Sequence, residues 1–169
     1  GTGTHETTQL CVEAFESTNG ALGRVLDVGT GTGILSIAAL KLGATSARGT
    51  DIDPVAVSAA LENAANNGVA RAFTADARAP HDDGAVADHV VANILAGTLI
   101  DLADPIVASV KAGGTLWLYR NAGDDAGAAA RPFTTAARSQ IGKSGWTTYD
   151  TLVAADIDGN GRADLIGRK

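Results

Sequence analysis

Residues 25–33 read VLDVGTGTG: four strand-forming positions with a carboxylate at Asp27, followed by glycines at alternate positions, Gly29, Gly31 and Gly33. A buried parallel strand over Arg24 to Val28 predicts that the chain is delivered here to a ligand crevice. Glycine is the residue that lets backbone N–H groups approach a bound group with no side chain between. A dinucleotide fingerprint, G-x-G-x-x-G counted from Gly29, needs its third glycine at position 34, which is Ile34. The tighter G-x-G-x-G spacing suits a ligand without a pyrophosphate.

Outward from this turn, helix and strand signals alternate. Leu10, Cys11, Ala14 and Phe15 fall on one face of a helix over Thr7 to Glu16. Ile34 to Leu42 is an apolar helix stopped by Gly43. A short strand over Ala47 to Asp51 leads to a helix capped by Asp53, with Pro54 in its first turn, that ends before Gly68. Strands follow over Arg71 to Ala75, Ala87 to Ala92 and Thr115 to Tyr119, the last two separated by an apolar helix from Gly97 that Pro105 bends or divides. This alternation predicts an α/β fold: a Rossmann-like, doubly wound, mostly parallel sheet with helices on both faces.

Composition limits the alternatives. The chain has 169 residues, 45% hydrophobic and 19% charged, which suits one folded domain with a core. A net charge of -6, with 13 scattered Lys and Arg, argues against a nucleic-acid partner, while a basic polypeptide is tolerated. Cys11 is the single cysteine, so no internal disulfide forms, and no apolar run approaches the roughly 20 residues that span a bilayer. These features predict a cytoplasmic protein without membrane partners and assign no oligomeric state. A chain with no methionine that opens inside a loop-like motif is expected to be a trimmed or recombined piece of something longer.

The carboxylates fall at informative spacings. Asp51 lies 22 residues after Gly29, where it can accept both ribose hydroxyls of an adenosyl group. Asp53 is more economically a cap. Thr30, Gly31, Gly33 and Ile52 complete the candidate cofactor set around Gly29 and Asp51. Asp76, in FTADA, stands where a polar side chain meets the adenine amino group, and equally reads as a solvated loop aspartate. His5 reads as a structural loop histidine and Cys11 as a buried small hydrophobe.

Four segments carry a closer resemblance: GTGTHETTQLCVEAFE (1–16), VLDVGTGTGILSIAALKLGA (25–44), GTDIDPVAVSAALENAANNGV (49–69) and HVVANILAGTLIDLA (89–103). Together they resemble the catalytic domain of the ribosomal protein L-eleven methyltransferases, the PrmA family, over about the first 118 residues. The resemblance implies S-adenosylmethionine contacts from Thr8, Gly29, Asp51 and Asn93, and a protein substrate, a ribosomal protein methylated on a lysine or terminal amine. Asn93 at the end of the fourth strand, with the carbonyls of Ile94 and Leu95, is the candidate catalytic group: it accepts hydrogen bonds from an amine and aims its lone pair. In that family substrate recruitment belongs to a preceding domain, so the alternative is a non-catalytic or engineered cofactor-binding module. Glu6 stands where the family usually has proline.

After Tyr119 the pattern changes. Residues 120–132 read as a linker, and five of the seven aromatic residues lie from position 117 onward. Residues 133–169 resemble an FG-GAP or VCBS repeat centred on DIDGNGRAD. Asp156, Asp158, Asn160 and Asp164 occupy positions one, three, five and nine of a loop, a spacing that suits calcium, while Gly167 replaces the twelfth-position glutamate of an EF-hand. The bland reading is a polar hairpin between Leu152 to Ala155 and Ala163 to Ile166. That hairpin is expected to complete or flank the methyltransferase sheet.

Overall fold

The computed structural model describes residues 6–82, 87–118, 151–155 and 164–168. Elements run in the order α1 (Glu6–Glu16), β1 (Arg24–Val28), α2 (Ile34–Lys41), β2 (Ser46–Thr50), α3 (Pro54–Asn66), β3 (Phe73–Asp76), β4 (Ala87–Ala92), α4 (Ala96–Asp101), α5 (Ala103–Ala108), β5 (Val110–Leu118), β6 (Thr151–Ala155) and β7 (Asp164–Arg168). Strands β1 to β5 form one parallel sheet in the order β3-β2-β1-β4-β5. Its direction of growth reverses between β1 and β4, the place where open α/β sheets bind ligands.

Two apolar clusters sandwich the sheet. On one face Cys11, Ala14 and Phe15 of α1, Leu35 and Ala39 of α2, and Ala60 and Ala64 of α3 pack on Val25, Ala47, Phe73 and Val91. On the other, Ile106 of α5 packs on Leu26, Val28, Val90, Ala92 and Leu116. The predicted stripe of α1 is the buried one, with Cys11, Ala14 and Phe15 at most 1% exposed. Val25 against Leu26 and Val28 in β1, and Val91 against Val90 and Ala92 in β4, divide between the two clusters, as the period of two requires.

Local chemistry sets the boundaries. Asp53 caps α3 by accepting the Val55 N–H at 2.8 Å, with Pro54 at the first helical position. Asp53→Ala should therefore cost about 1 kcal/mol, read as a lower urea midpoint with an unchanged slope. Pro105 has no N–H to offer the Asp101 carbonyl, and the apolar helix is divided at Leu102 into α4 and α5.

Three expected boundaries shift. The segment 70–72 is a 3-10 turn, so β3 begins at Phe73 rather than Arg71. β2 starts and stops one residue early, which leaves Asp51 just beyond the strand. β5 begins at Val110 rather than Thr115: Ala87 pairs with Val110 and His89 with Thr115, so Lys111 to Gly114 bulge opposite Asp88. Lys111 Nζ hydrogen-bonds Asp88 Oδ1 across this irregularity.

The tail forms the expected hairpin, with Ala155 opposite Asp164 and Thr151 opposite Arg168. Among the described residues β6 and β7 form an antiparallel two-stranded sheet of their own rather than extending the large sheet from β5. The linker 120–132, and most of the repeat-like segment after it, lie outside the described residues.

Candidate cofactor site

The register brings the candidate positions to one edge. Val28 is level with Thr50 and Ala92, and Thr50 with Asp76. Gly29, Asp51 and Asn93 therefore each step off the carboxyl end of neighbouring strands β1, β2 and β4, around the switch point.

The glycine turn is built as its sequence requires. Gly29, Gly31 and Gly33 all have positive φ, of 73°, 55° and 80°. At Gly29 a Cβ would collide with Ile94 Cγ2, so the residue after Asn93 lies directly on the first glycine. At Gly33 a Cβ would stand 3.0 Å from Ala60 Cβ, so this glycine lets α3 approach the start of α2.

Beneath the turn lies a polar network that starts from Asp27, 1% exposed. Its Oδ2 accepts the Thr30 hydroxyl at 2.7 Å, the Ser36 hydroxyl at 2.9 Å and the Ser36 N–H at 3.2 Å. Burial pushes the Asp27 carboxyl above its ordinary pKa, and the Thr30 and Ser36 donors partly offset this. Asp27 thus ties the glycine turn to the first helical turn of α2. From the other side Asn63 Nδ2 donates to the Thr32 carbonyl at 2.9 Å, holding the turn to α3. Sequence reasoning assigned neither residue a role in the site. Asp27 carried a signal, as a carboxylate inside the apolar run Val25 to Val28; Asn63 carried none.

Asp51 is half-buried at the mouth of the crevice. Its Oδ2 accepts the Gly31 N–H at 2.9 Å and its Oδ1 the Asp53 N–H at 3.0 Å. Both carboxylate oxygens are thereby oriented by backbone donors, and each keeps a lone pair for a further partner. Ile52 beside it is 91% exposed, a large apolar side chain at the edge of the crevice.

Asp76 is held by protein donors. Arg48 donates to it through Nη2 at 2.9 Å and Nε at 3.2 Å, and Arg78 through Nη2 at 2.7 Å and its backbone N–H at 3.0 Å. It is the centre of an arginine clamp rather than a solvated aspartate. Burial alone would raise its carboxyl, but hydrogen bonds from Arg48 and then Arg78 outweigh this and hold it well below the usual carboxylate range. A depressed carboxylate stabilises the fold above the unfolded-state pKa of about 4 and loses that contribution as pH falls through the lower folded value. Asp76→Asn should thus be less stable than the parent at pH 7. The gap should close as melting is repeated below about pH 4; a gap independent of pH would contradict the clamp.

Thr8 and Asn93, named from opposite ends of the matching region, are brought together. Asn93 Nδ2 donates to Thr8 Oγ1 at 3.4 Å, and Thr8 is 9% exposed in the first turns of α1. Asn93 Oδ1 is buried without a hydrogen-bond partner. A buried acceptor left unmade costs about 1–3 kcal/mol, so this oxygen marks a place where a donor belongs. His89 lies away from this edge, level with Val25, with Nδ1 2.8 Å from the Leu22 carbonyl, and burial lowers its pKa. Burial likewise pushes the Cys11 thiol up, which leaves it an inert core residue. Among the described residues no cluster of His, Cys, Asp or Glu has metal-binding geometry. Asp156, Asp158 and Asn160 lie outside them, and Asp164 opens β7. His5 also lies outside them.

With the site assembled, the chain can be compared with known proteins. The family model for ribosomal protein L11 methyltransferase (PrmA) matches residues 1–119. The chain belongs to the PrmA family. A ribosomal protein L11 methyltransferase of Aliivibrio salmonicida is 51% identical over 116 residues, covering 69% of this chain and 40% of its own length. One from Geobacter metallireducens is 52% identical over 118 residues, 70% of this chain and 38% of its own. The chain thus spans about two fifths of the length of these curated relatives. A crystal structure of ribosomal protein L11 methylase from Lactobacillus delbrueckii subsp. bulgaricus superposes with a TM-score of 0.63 at 40% identity, over 69% of this chain and 60% of that one. A methyltransferase from Geobacter sulfurreducens, in complex with S-adenosyl-L-homocysteine, shares the fold at 21% identity and a TM-score of 0.54, over 67% and 46% of the two chains. The PrmA match ends at residue 119, so the repeat-like tail lies beyond it.

Proposed function

We propose that this PrmA-family chain binds S-adenosylmethionine at the carboxyl edge of β1, β2 and β4 and uses it to methylate amino groups, lysine or terminal, of a ribosomal protein in the cytoplasm. The observation that carries the reading is the buried, unpartnered Asn93 Oδ1 beside Thr8, level with Gly29 and Asp51. The donor set fits the group. Asp51, already aligned by the Gly31 and Asp53 amides, would take the ribose hydroxyls. Thr30, Gly31 and Gly33 would shape the turn under the ligand, and Ile52 would offer an apolar wall beside the adenine. Asp76, clamped by two arginines, would reach an adenine amino group only by sharing an oxygen with them.

When bound, S-adenosylmethionine supplies an electrophilic methyl on sulfur, so the protein has mainly to hold an uncharged amine on the line of the departing sulfur. Asn93 Oδ1 and the carbonyls of Ile94 and Leu95 would accept from the amine N–H groups and leave its lone pair aimed. Leu95 is 55% exposed, which gives a protein substrate access to this edge. No side chain on this edge is required as a strong base in that arrangement. No helix among the described residues is long and apolar enough to cross a membrane.

The test is transfer of labelled methyl from S-adenosylmethionine to ribosomal protein L11, with a panel of polypeptide and small amines alongside. Transfer that is lost in Asn93→Ala supports the reading. Binding without transfer to any acceptor would favour the second reading, a cofactor-binding module without a productive substrate site. For the tail, the Ala155 to Asp164 pairing brings the ends of the aspartate-rich connection together. A calcium titration with Asp158→Ala as control tests the metal reading of that connection, and no binding by the parent chain would remove it.

A further inference from the structure

Among the described residues a second buried polar side-chain atom has no partner, Trp117 Nε1. Trp117 is in β5 opposite Val91, and its side chain packs on the cluster formed with α1 and α2. Asn93 is two residues beyond Val91 and therefore on the same face of the sheet, where its side chain meets Thr8 of α1. One face of the sheet thus carries an unpaired acceptor, Asn93 Oδ1 at the end of β4, and an unpaired donor, the Trp117 indole N–H of the neighbouring strand β5. Two residues along and one strand across is about 8 Å between Cα atoms, a distance an indole can span, yet the two groups do not bond each other.

Buried polar groups are almost always satisfied, and two orphans of opposite sense on one face call for a ligand that both donates and accepts. The amino-acid end of S-adenosylmethionine is such a group: an ammonium that donates and a carboxylate that only accepts. An indole N–H can only donate, so it can meet only the carboxylate. We infer that Trp117 is a further positioning residue of this site, its Nε1–H donating to the carboxylate of the bound ligand while one lone pair of Asn93 Oδ1 accepts from the ammonium and the other is left for the substrate amine. The inference rests on the S-adenosylmethionine reading and adds to it a residue from β5, a strand that the glycine turn, Asp51 and Asn93 do not involve.

The experiment compares two ligands by calorimetric titration of the full chain: S-adenosylhomocysteine, which has the amino-acid end, and methylthioadenosine, which lacks it. Trp117→Phe keeps the aromatic bulk and deletes only the N–H. It should weaken S-adenosylhomocysteine by about 10-fold, the loss expected for one hydrogen bond to a charged group, and leave methylthioadenosine within twofold of the parent. The melting temperature of the ligand-free variant should equal or exceed the parent's, because a buried orphan donor has been removed. Equal weakening of both ligands, or of neither, would overturn the role of Trp117 while leaving the cofactor reading intact. Failure of the parent chain to bind either ligand would bring down the cofactor reading, and this inference with it. Should Trp117→Phe melt well below the parent, Trp117→Tyr provides the comparison: discrimination between the two ligands by that variant still decides for the inference, and none decides against it.

Discussion

Asp51→Ala is expected to weaken S-adenosylmethionine and S-adenosylhomocysteine by about 100- to 1,000-fold and to leave the fold intact. The carboxylate would give the ribose two charge-assisted hydrogen bonds, each worth about 1.5–3 kcal/mol and not fully additive. Among the described residues it holds the N–H groups of Gly31 and Asp53, both near solvent, where water replaces it at little cost. A small change in the free chain's melting temperature, with a large loss of ligand-induced stabilisation, is the expected pattern. Methylthioadenosine should be weakened alongside, since it retains the ribose. Unaltered affinity in this variant would place the ribose elsewhere.

Gly29→Ala is the substitution expected to damage the fold most. The backbone there has φ 73°, which costs a residue with a Cβ about 1–2 kcal/mol. The added methyl would also run into Ile94, forcing a shift of the kind that costs about 1–3 kcal/mol in a packed site. Gly31→Ala separates the two effects: its φ is 55° but nothing stands within 4 Å of the new Cβ, so it should suffer the backbone cost alone. The difference between their urea midpoints then measures the Ile94 contact. Ile94→Ala should rescue part of the Gly29→Ala loss and none of the Gly31→Ala loss. Equal destabilisation by the two glycine variants would mean that Ile94 does not rest on the turn.

The sheet was legible in the sequence because its signals are local. Apolar runs ending at Val28 and Ala92, the Asp53-Pro54 cap, and the glycines at 43 and 68 each specify a boundary through backbone geometry. Boundaries failed where pairing between distant residues decides them. Val110 joins β5 because Ala87 pairs with it, and the bulge over Lys111 to Gly114 has no signature beyond two glycines that also read as a turn. The site divided in the same way. Gly29 and Asp51 follow from spacing, whereas the meeting of Thr8 with Asn93 depends on α1 lying over β4, 85 residues away in the chain. Asp76 shows the converse: its position at a strand end was correct, but its arginines come from Arg48, on the neighbouring strand, and from Arg78. Which partner a carboxylate takes is a property of the sheet order. The tail pairs with itself because Thr151–Ala155 and Asp164–Arg168 are joined by a short connection, and a local hairpin needs no distant edge.

The central claim is that the crevice around Gly29, Asp51 and Asn93 is an S-adenosylmethionine site. It is tested most directly by melting the chain against rising S-adenosylhomocysteine, with NAD as the dinucleotide control. A ligand at 100 times its dissociation constant stabilises the folded state by about 2.7 kcal/mol, so the account predicts a saturable rise of several degrees with S-adenosylhomocysteine and none with NAD. No rise at millimolar S-adenosylhomocysteine, or an equal rise with NAD, would contradict it.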